Sequence, residues 1–231
     1  MLLNRKGRLA LCVGMALGFG LVTTPAQAAN ITLQGTISTD DAVQLFNVVV
    51  AAPTTVDLRS YGYAGGTTSA GTAVSSGGFD TILALFDSAG NYLAENDDGT
   101  GVATDVSTGL AADARLTANL GAGSYIVALT QYDNFVIGST LSSGFYETGF
   151  PNFTADPSFA TGGACPGNMF RDISGTSGRC RSGNWTVDFV NVAGVTPAAA
   201  VPEPAALVLT GFGLGALLAS RIRNRKGLPV A

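Results

Sequence analysis

Residues 79–99 read FDTILALFDSAGNYLAENDDG, and no other stretch of the 231-residue sequence indicates the fold so clearly. An apolar run at residues 81–86 is followed by Ser-Ala-Gly-Asn at 88–91 and by a second short run at 92–95. Glycine and asparagine are favoured in tight hairpin connections because they tolerate left-handed backbone angles. The stretch therefore predicts two antiparallel strands joined by a short turn.

Similar apolar runs alternate with turn-rich gaps on both sides of this hairpin. They predict six further strands, at residues 31–37, 43–50, 54–58, 114–119, 124–130 and 185–190. No segment between Asn30 and Gly194 keeps a helical period for more than about two turns. Short strands at this density are typical of an all-β fold, here an antiparallel, jelly-roll-like β-sandwich. We expect this domain to cover residues 29–196.

The first 28 residues have the three parts of a secretory signal peptide. Three basic residues lie within positions 5–8, an apolar core follows at residues 9–22, and residues 26–28 (Ala-Gln-Ala) form a small-x-small cleavage site. The alternative is a retained membrane anchor, but the apolar core is short and ends in Thr-Thr-Pro. We therefore predict that residues 1–28 are a signal peptide.

Residues 197–231 also have three parts. The tripeptide Pro202-Glu203-Pro204 is followed by an uncharged, apolar stretch at residues 205–220 and then by a basic cluster. The basic cluster consists of Arg221, Arg223, Arg225 and Lys226. The apolar stretch would span about 24 Å as a helix, and we predict a short transmembrane helix there. Basic residues directly after such a helix keep the tail in the cytoplasm.

This order of parts resembles the PEP-CTERM sorting signal of Gram-negative bacteria. In that family a Pro-Glu-Pro motif, a short transmembrane helix and an Arg-rich terminus are recognised by an exosortase, a membrane-embedded, transpeptidase-like cysteine enzyme. The resemblance covers about the last 30 residues of the sequence. It implies that Pro202, Glu203 and Pro204 form the sorting motif and that the basic cluster retains the tail. The alternative is an ordinary tail anchor.

Two gaps between predicted strands are long. Residues 60–78 consist almost entirely of Gly, Ser, Thr, Ala and Tyr, which predicts an exposed, flexible loop. Residues 138–183 are longer still and contain Cys165 and Cys180. Because an exported chain meets an oxidising compartment, we predict a structural disulfide between these two cysteines. A metal or catalytic role for the pair is the alternative.

Composition and charge narrow the classes of function. The sequence contains no histidine, which excludes a Ser-His-Asp triad and a His-ligated zinc ion, and we expect no enzymatic activity. Residues 29–196 contain 5 arginines, no lysine and 15 acidic residues, so that their net charge is −10. Phosphate binding needs clustered positive charge, and we therefore expect cations rather than nucleic acid as partners.

The hairpin at residues 79–99 also resembles the bacterial pre-peptidase C-terminal domains. Their signature is an Asp before an apolar strand, a turn with Gly, and a strand that ends in Asn-Asp-Asp. A later Gly-x-Tyr strand of that pattern is matched by GSYIV at residues 123–127. The resemblance covers roughly residues 30–135, and it implies a β-sandwich accessory module of a secreted protein, used in binding or display. The insertion at 138–183 departs from the family's usual ending.

Asp80, Asp97 and Asp98 are the candidate metal ligands. Some relatives of the resembled domains bind calcium at comparable positions, and calcium prefers six to eight oxygen ligands. The alternative is that Asn-Asp-Asp-Gly forms a solvated turn in which the aspartates bind the backbone. We expect no required cofactor, and Ca²⁺ is the one candidate ion.

The sequence thus predicts an exported structural protein of the cell surface or extracellular matrix of a biofilm-forming Gram-negative bacterium. Its expected partners are the secretion machinery, signal peptidase, the exosortase and exopolysaccharide, with the inner membrane as a transient location. The alternative, from a different class, is a calcium- or carbohydrate-binding adhesin or accessory binding module.

Overall fold

The computed structural model describes residues 27–159, 165–173 and 178–198, and this part of the chain is built mainly from β-strands. Three single-turn 3₁₀ helices interrupt the loops, at Leu141–Ser143, Phe153–Ala155 and Pro166–Asn168. The strands are β1 (Ala29–Thr36), β2 (Gln44–Val50), β3 (Thr54–Ser60), β4 (Gly66–Thr67), β5 (Ala73–Val74), β6 (Thr81–Asp87), β7 (Tyr92–Asn96), β8 (Arg115–Leu120), β9 (Gly123–Gln131), β10 (Asn184–Val192) and β11 (Gly194–Ala198).

Two antiparallel sheets make up the body of the fold. One has four strands in the order β1-β10-β3-β8, and the other has five in the order β11-β2-β9-β6-β7. β4 and β5 form a small separate ribbon. The all-β prediction is confirmed, and the two sheets are consistent with the predicted sandwich.

All eight predicted strands are present, each within three residues of its predicted bounds. β4, β5 and β11 were not predicted from the sequence. The first two are only two residues long, which is too short for a period of two to be visible. β11 contains Pro197 and begins at Gly194, two residue types that argue against a strand, but proline is tolerated on an edge strand such as β11.

The main apolar core lies between the two sheets, because successive strand residues point to opposite faces. Phe46 on β2 is fully buried and makes edge-to-face contacts with Trp185 and Phe189 on β10, with ring centroids 5.3 and 5.1 Å apart. These contacts join the five-stranded sheet to the four-stranded sheet. Aromatic rings bury large areas and dominate such cores.

β6 is buried on both of its faces. Leu83 and Leu85 pack in the main core, whereas Ala84 and Phe86 belong to a second apolar cluster on the other side of the sheet. The segment 136–145 covers that outer face through Val136, Leu141 and Phe145. This double burial explains why the sequence of β6 is a continuous apolar run rather than an alternating one.

The expectation of an exposed, flexible loop at residues 60–78 is wrong for its first part. Tyr61 and Tyr63 are buried, with 5% and 0% of their surfaces exposed, and Thr68 is also buried. Gly78 lies so close to the start of β10 that a Cβ there would clash with the carbonyl oxygen of Asn184. Most of residues 66–76, including β4 and β5, reach solvent as expected.

The predicted disulfide between Cys165 and Cys180 is confirmed, with a Cα–Cα distance of 5.2 Å. Arg171 and Cys180 form an isolated antiparallel bridge inside the closed ring. Two residues after Cys180, the backbone N–H of Ser182 donates to the carbonyl oxygen of Gly77, and β10 begins at Asn184.

Candidate functional site

Buried carboxylates are the most unusual feature of the domain. An ionised group is expensive to bury unless it is paired and hydrogen-bonded, so each one needs a structural or functional reason. Relative exposure is 2% or less for Asp40, Asp80, Asp105, Asp113, Asp172 and Asp188. Of the six, only Asp80 was singled out by the sequence analysis.

Asp113 fixes the course of the chain immediately after β3. Its carboxylate accepts hydrogen bonds from the backbone N–H groups of Tyr63 and Ala64 at 3.0 and 2.9 Å, and from the Ser60 hydroxyl at 3.0 Å. Burial raises the pKa of Asp113, although these hydrogen bonds act in the opposite direction. The carboxylate thus satisfies backbone donors of a loop that belongs to neither sheet.

Asp188, in the middle of β10, also accepts hydrogen bonds from the loop that follows β3. It accepts hydrogen bonds from the Tyr61 hydroxyl at 2.9 Å and from the Ser69 backbone N–H at 2.6 Å, and Thr32 on β1 donates a third. Burial, followed by the contact with Asp188, raises the pKa of Tyr61 to about 12. Tyr61 therefore stays protonated and remains a donor at physiological pH.

Arg181 joins the disulfide segment to the loop through buried ion pairs. Its guanidinium lies 3.2 Å from Asp105 and 3.5 Å from Asp172, and it stacks 3.8 Å from the centroid of the Tyr63 ring. The Tyr63 hydroxyl donates to Asp172 at 2.8 Å. Burial raises the pKa of Asp105, but hydrogen bonds from Ser107, Arg181 and Thr108 outweigh it and bring the value to about 2.

Asp40 plays a similar part for the insertion, because it accepts hydrogen bonds from both of its halves. The backbone N–H and the hydroxyl of Thr154 donate to it, and so does the backbone N–H of Phe170 at 2.6 Å. Burial raises the pKa of Asp40, and these hydrogen bonds oppose that rise. Five of the buried aspartates thus have loop or arginine donors on their carboxylates, and these contacts hold the loops against the sheets.

The three predicted calcium ligands lie in one neighbourhood. Asp80 precedes β6 and its carbonyl accepts the N–H of Tyr132, whereas Asp97 and Asp98 follow β7. Burial is the main cause that raises the pKa of Tyr132, and the charges of Asp133, Asp97, Asp80 and Asp98 add to it. Within the described ranges, however, no group of three or more acidic or cysteine side chains is placed to hold a metal ion. Calcium binding stays a prediction.

A large concave surface on the outer face of the five-stranded sheet is mainly apolar, and we call it the apolar groove. It has a volume of about 700 Å³ and opens to solvent beside Ile137 and Tyr146, which are 38% and 63% exposed. Its apolar lining consists of Val43, Leu45, Ile137, Leu141, Phe145 and Tyr146. The groove lies between the start of β2 and the first part of the insertion.

A second cavity of about 400 Å³, the mixed cavity, lies farther along the insertion. Phe150 at its edge is 61% exposed, and Glu147, Asn152 and Asp156 supply polar atoms around it. Burial raises the pKa of Glu147, and the charges of Asp133 and Asp156 add to the effect. Both concave surfaces are formed largely by the insertion, for which the sequence predicted a disulfide but no cavity.

The remaining predicted functional residues lie outside the described residues. They are the sorting motif at 202–204, the basic cluster at 221–226 and residues 1–26 of the predicted signal peptide. Among residues 27–159, 165–173 and 178–198, no helix has the length and apolar character needed to cross a membrane; both predicted membrane segments fall outside these ranges.

Comparison with known proteins adds no relative. The chain matches no protein-family model, and no curated protein resembles it significantly. The resemblances to PEP-CTERM signals and to pre-peptidase C-terminal domains therefore remain predictions from the sequence motifs.

Proposed function

We propose that this chain is an exported, exosortase-sorted structural protein of the cell surface or extracellular matrix of a Gram-negative bacterium. The observation that supports it most directly is the order of parts in residues 197–231: Pro-Glu-Pro, an apolar stretch and a basic cluster. The same chain has a signal-peptide pattern at residues 1–28, which an exported exosortase substrate needs. The two patterns together argue against a chance occurrence of the Pro-Glu-Pro tripeptide.

The domain itself has properties that suit a protein outside the cytoplasm. Its disulfide fits an oxidising compartment, where such bonds persist. Buried aspartates and the ion pairs of Arg181 hold the described parts of its long loops in place. The order of its strands also favours the finer, jelly-roll-like description, because strands that are distant in sequence are neighbours in both sheets, as β1 and β10 are in one and β11 and β2 in the other.

In the proposed pathway, the signal peptide directs export and the basic cluster keeps the C-terminus inside. Pro202 follows the end of β11 at Ala198 by only four positions. The exosortase would therefore meet its motif directly beside the folded domain, on the outer face of the inner membrane. Processing there would release the domain or attach it to the surface layer.

The decisive experiment is mass spectrometry of the mature protein isolated from its native host, with and without a functional exosortase. We expect residues 205–231 to be missing from the mature protein only when the enzyme is present. The matched variant Glu203→Ala should behave as the enzyme-free strain does. A mature C-terminus that still contains the arginines in both strains would refute the proposal.

A carbohydrate-binding adhesin is the second candidate, and the mixed cavity favours it. Phe150 offers an exposed ring beside the carboxylates of Glu147 and Asp156 and the amide of Asn152, a combination of apolar surface with convergent polar groups that is typical of ligand sites. A glycan array should then give hits that Phe150→Ala abolishes and that Tyr146→Ala, an equally exposed aromatic in the apolar groove, leaves unchanged. An array without hits would remove this candidate.

Calcium binding belongs to the same alternative and rests on Asp80, Asp97 and Asp98 around Tyr132. Since ligands that bind only the folded state raise its stability, millimolar calcium should raise the melting temperature. The double variant Asp97→Asn with Asp98→Asn should lose that increase. An unchanged melting temperature of the wild-type protein in calcium would contradict the prediction.

A further inference from the structure

Thr81 and Gln131 form a buried polar pair at one end of the main core. They are Cα partners on β6 and β9, so that both side chains leave the sheet on the same face. Alternation from Leu83 and Leu129, which pack in the core, places that face between the two sheets. Thr81 is 0% exposed and Gln131 is 1% exposed. A hydroxyl and a carboxamide are thus held side by side, away from bulk solvent.

The surroundings do not satisfy the carboxamide of Gln131. Its Oε1 atom is buried and has no hydrogen-bond partner among the residues that the structure describes. A buried amide oxygen without a donor is costly, and native proteins rarely keep one without a reason. An ester oxygen is a weaker acceptor than an amide oxygen, and an ester has no N–H groups to satisfy. Conversion of this amide to an ester would therefore lower the cost of its burial.

The hydroxyl of Thr81 is connected to a carboxylate through one other hydroxyl. Ser60, at the end of β3, donates to Asp113 at 3.0 Å and accepts the backbone N–H of Ala114 at 2.8 Å. Ser60 Oγ and Thr81 Oγ1 lie 2.5 Å apart. Because the single hydroxyl proton of Ser60 is used on Asp113, Thr81 is the donor in this contact. The Thr81 proton therefore points along a path that ends at a base.

Asp113 suits the role of that base. It is buried, and burial raises its pKa towards the range in which a general base works best. A hydroxyl that is hydrogen-bonded to such a base is an activated nucleophile. Residues 29–196 contain no lysine, so the amine that an isopeptide bond needs is absent from the domain. A hydroxyl is the nucleophile that the buried cluster offers.

We propose that Thr81 and Gln131 join in an intramolecular ester bond, which links β6 covalently to β9. Facing residues on antiparallel strands have Cβ atoms about 5 Å apart. The Thr81 Oγ1 atom is bonded to its Cβ, and the Gln131 Cδ atom is two bonds from its own. Rotation of the Gln131 side chain can therefore bring these atoms to about 3–3.5 Å, the separation needed for attack. This inference goes beyond the proposed function and does not depend on it.

The reaction is an acyl transfer between two side chains. A lone pair of Thr81 Oγ1 attacks Cδ of Gln131, while the Thr81 proton passes to Ser60 and Ser60 passes its own proton to Asp113. The C–N bond of the carboxamide then breaks. Asp113 and Ser60 return the proton to the nitrogen, which leaves as ammonia. One C–O bond replaces one C–N bond, and no oxidant or reductant is consumed.

Peptide mapping of the full chain by mass spectrometry tests the bond, after the disulfide is reduced. Trypsin cuts after Arg59, Arg115 and Arg171, which places Thr81 and Gln131 in separate peptides. We expect both peptides in one branched species that is lighter than their sum by one ammonia molecule. Hydroxylamine cleaves esters under conditions that leave amides intact, and it should separate the two peptides.

Three variants test the residues and their roles. Thr81→Val removes the nucleophile with little change of shape and should abolish the branched peptide. Thr130→Val is the matched control: Thr130 is also buried, but it precedes Gln131 by one position and faces the other side of the sheet. It should leave the branched peptide in place. Ser60→Ala interrupts the path to Asp113 and should slow formation of the bond on the order of a hundredfold.

The map of the wild-type protein alone decides whether the bond exists, even where a variant does not fold. Folded wild-type protein that keeps its full mass and yields only separate peptides would overturn the proposal. Loss of ammonia without a branched peptide would place the reaction at another residue. A branched peptide from Thr81→Val would remove Thr81 as the nucleophile, and formation at the wild-type rate in Ser60→Ala would refute the proton path.

Discussion

The two sheets and the loops that surround them are stabilised in different ways. The sheets meet through apolar side chains such as Phe46 and Phe189, whereas the loops after β3 and before β10 are held by buried aspartates, by Arg181 and by one disulfide. Apolar packing is spread over many contacts, but each loop depends on a few polar ones. We therefore expect substitutions in the apolar core to destabilise the whole domain. Substitutions that remove the polar contacts of a loop should open that loop locally.

The largest effect is expected from Phe46→Ala. The change removes a fully buried ring and both of its edge-to-face contacts. Loss of a buried Phe typically costs about 3–5 kcal/mol, and because Phe46 joins the sheets, the whole domain should become less stable. Urea unfolding measures this change. Val49→Ala, on the same strand but 45% exposed, is the control and should change stability little.

The same difference between apolar sheets and polar loops explains which features could be predicted from the sequence. The strand at residues 81–86 was visible because a local apolar run needs no knowledge of its partner. The disulfide was also visible, because Cys165 and Cys180 are the two cysteines left outside the predicted signal peptide. The first prediction needs only neighbouring residues, and the second needs only the number of cysteines outside the predicted signal peptide.

The polar contacts of the loops could not be read in this way. Asp113 accepts a hydrogen bond from Tyr63, 50 positions earlier in the chain, and the sequence near either residue does not indicate this contact. Residues 60–65 look like a flexible loop by composition, and they are buried because distant carboxylates satisfy their donors. The calcium ligands stay a prediction: the charges of Asp80, Asp97 and Asp98 all act on Tyr132, but among the described residues no group of three acidic side chains is placed to hold a metal ion.

Replacing Cys165 and Cys180 together by serine is expected to have the next largest effect. The ring closes over a sequence separation of 15 residues, and the chain-entropy treatment assigns about 3 kcal/mol to a loop of that size. Hydrogen exchange should rise first at residues 165–173 and 178–183, while β6 and β9 stay protected. Equal loss of protection in the sheets would contradict the separation of the two regions.

Asp105→Asn should destabilise the protein by about 2 kcal/mol at neutral pH, because Arg181 loses a buried charged partner but keeps Asp172. The effect should depend on pH. The folded-state pKa of Asp105 is about 2, below its ordinary value, so the stability from its ionised form is present above about pH 4 and is lost as the pH falls towards 2.

The difference in unfolding free energy between the wild type and Asp105→Asn should therefore shrink in acid. Asp40 and Asp113 have raised pKa values, which give the opposite trend, but both residues are present in the two proteins and their contributions cancel in the difference. Urea unfolding at pH 6 and pH 3 measures it. A difference that is constant over this range would mean that Asp105 is not held ionised by its partners.

Tyr61→Phe is the mildest test of the loop contacts. It removes one donor from the buried carboxylate of Asp188 and leaves the donors from Ser69 and Thr32 in place. A single hydrogen bond contributes about 1 kcal/mol, so the melting temperature should fall slightly and exchange should rise at Ser69 rather than in β10. Tyr146→Phe, 63% exposed, is the matched control without an effect. If Tyr61→Phe instead raised hydrogen exchange in β10, the hydrogen bonds of Asp188 would stabilise the sheet as well as the loop. The distinction between apolar sheets and polar loops would then not hold at that strand.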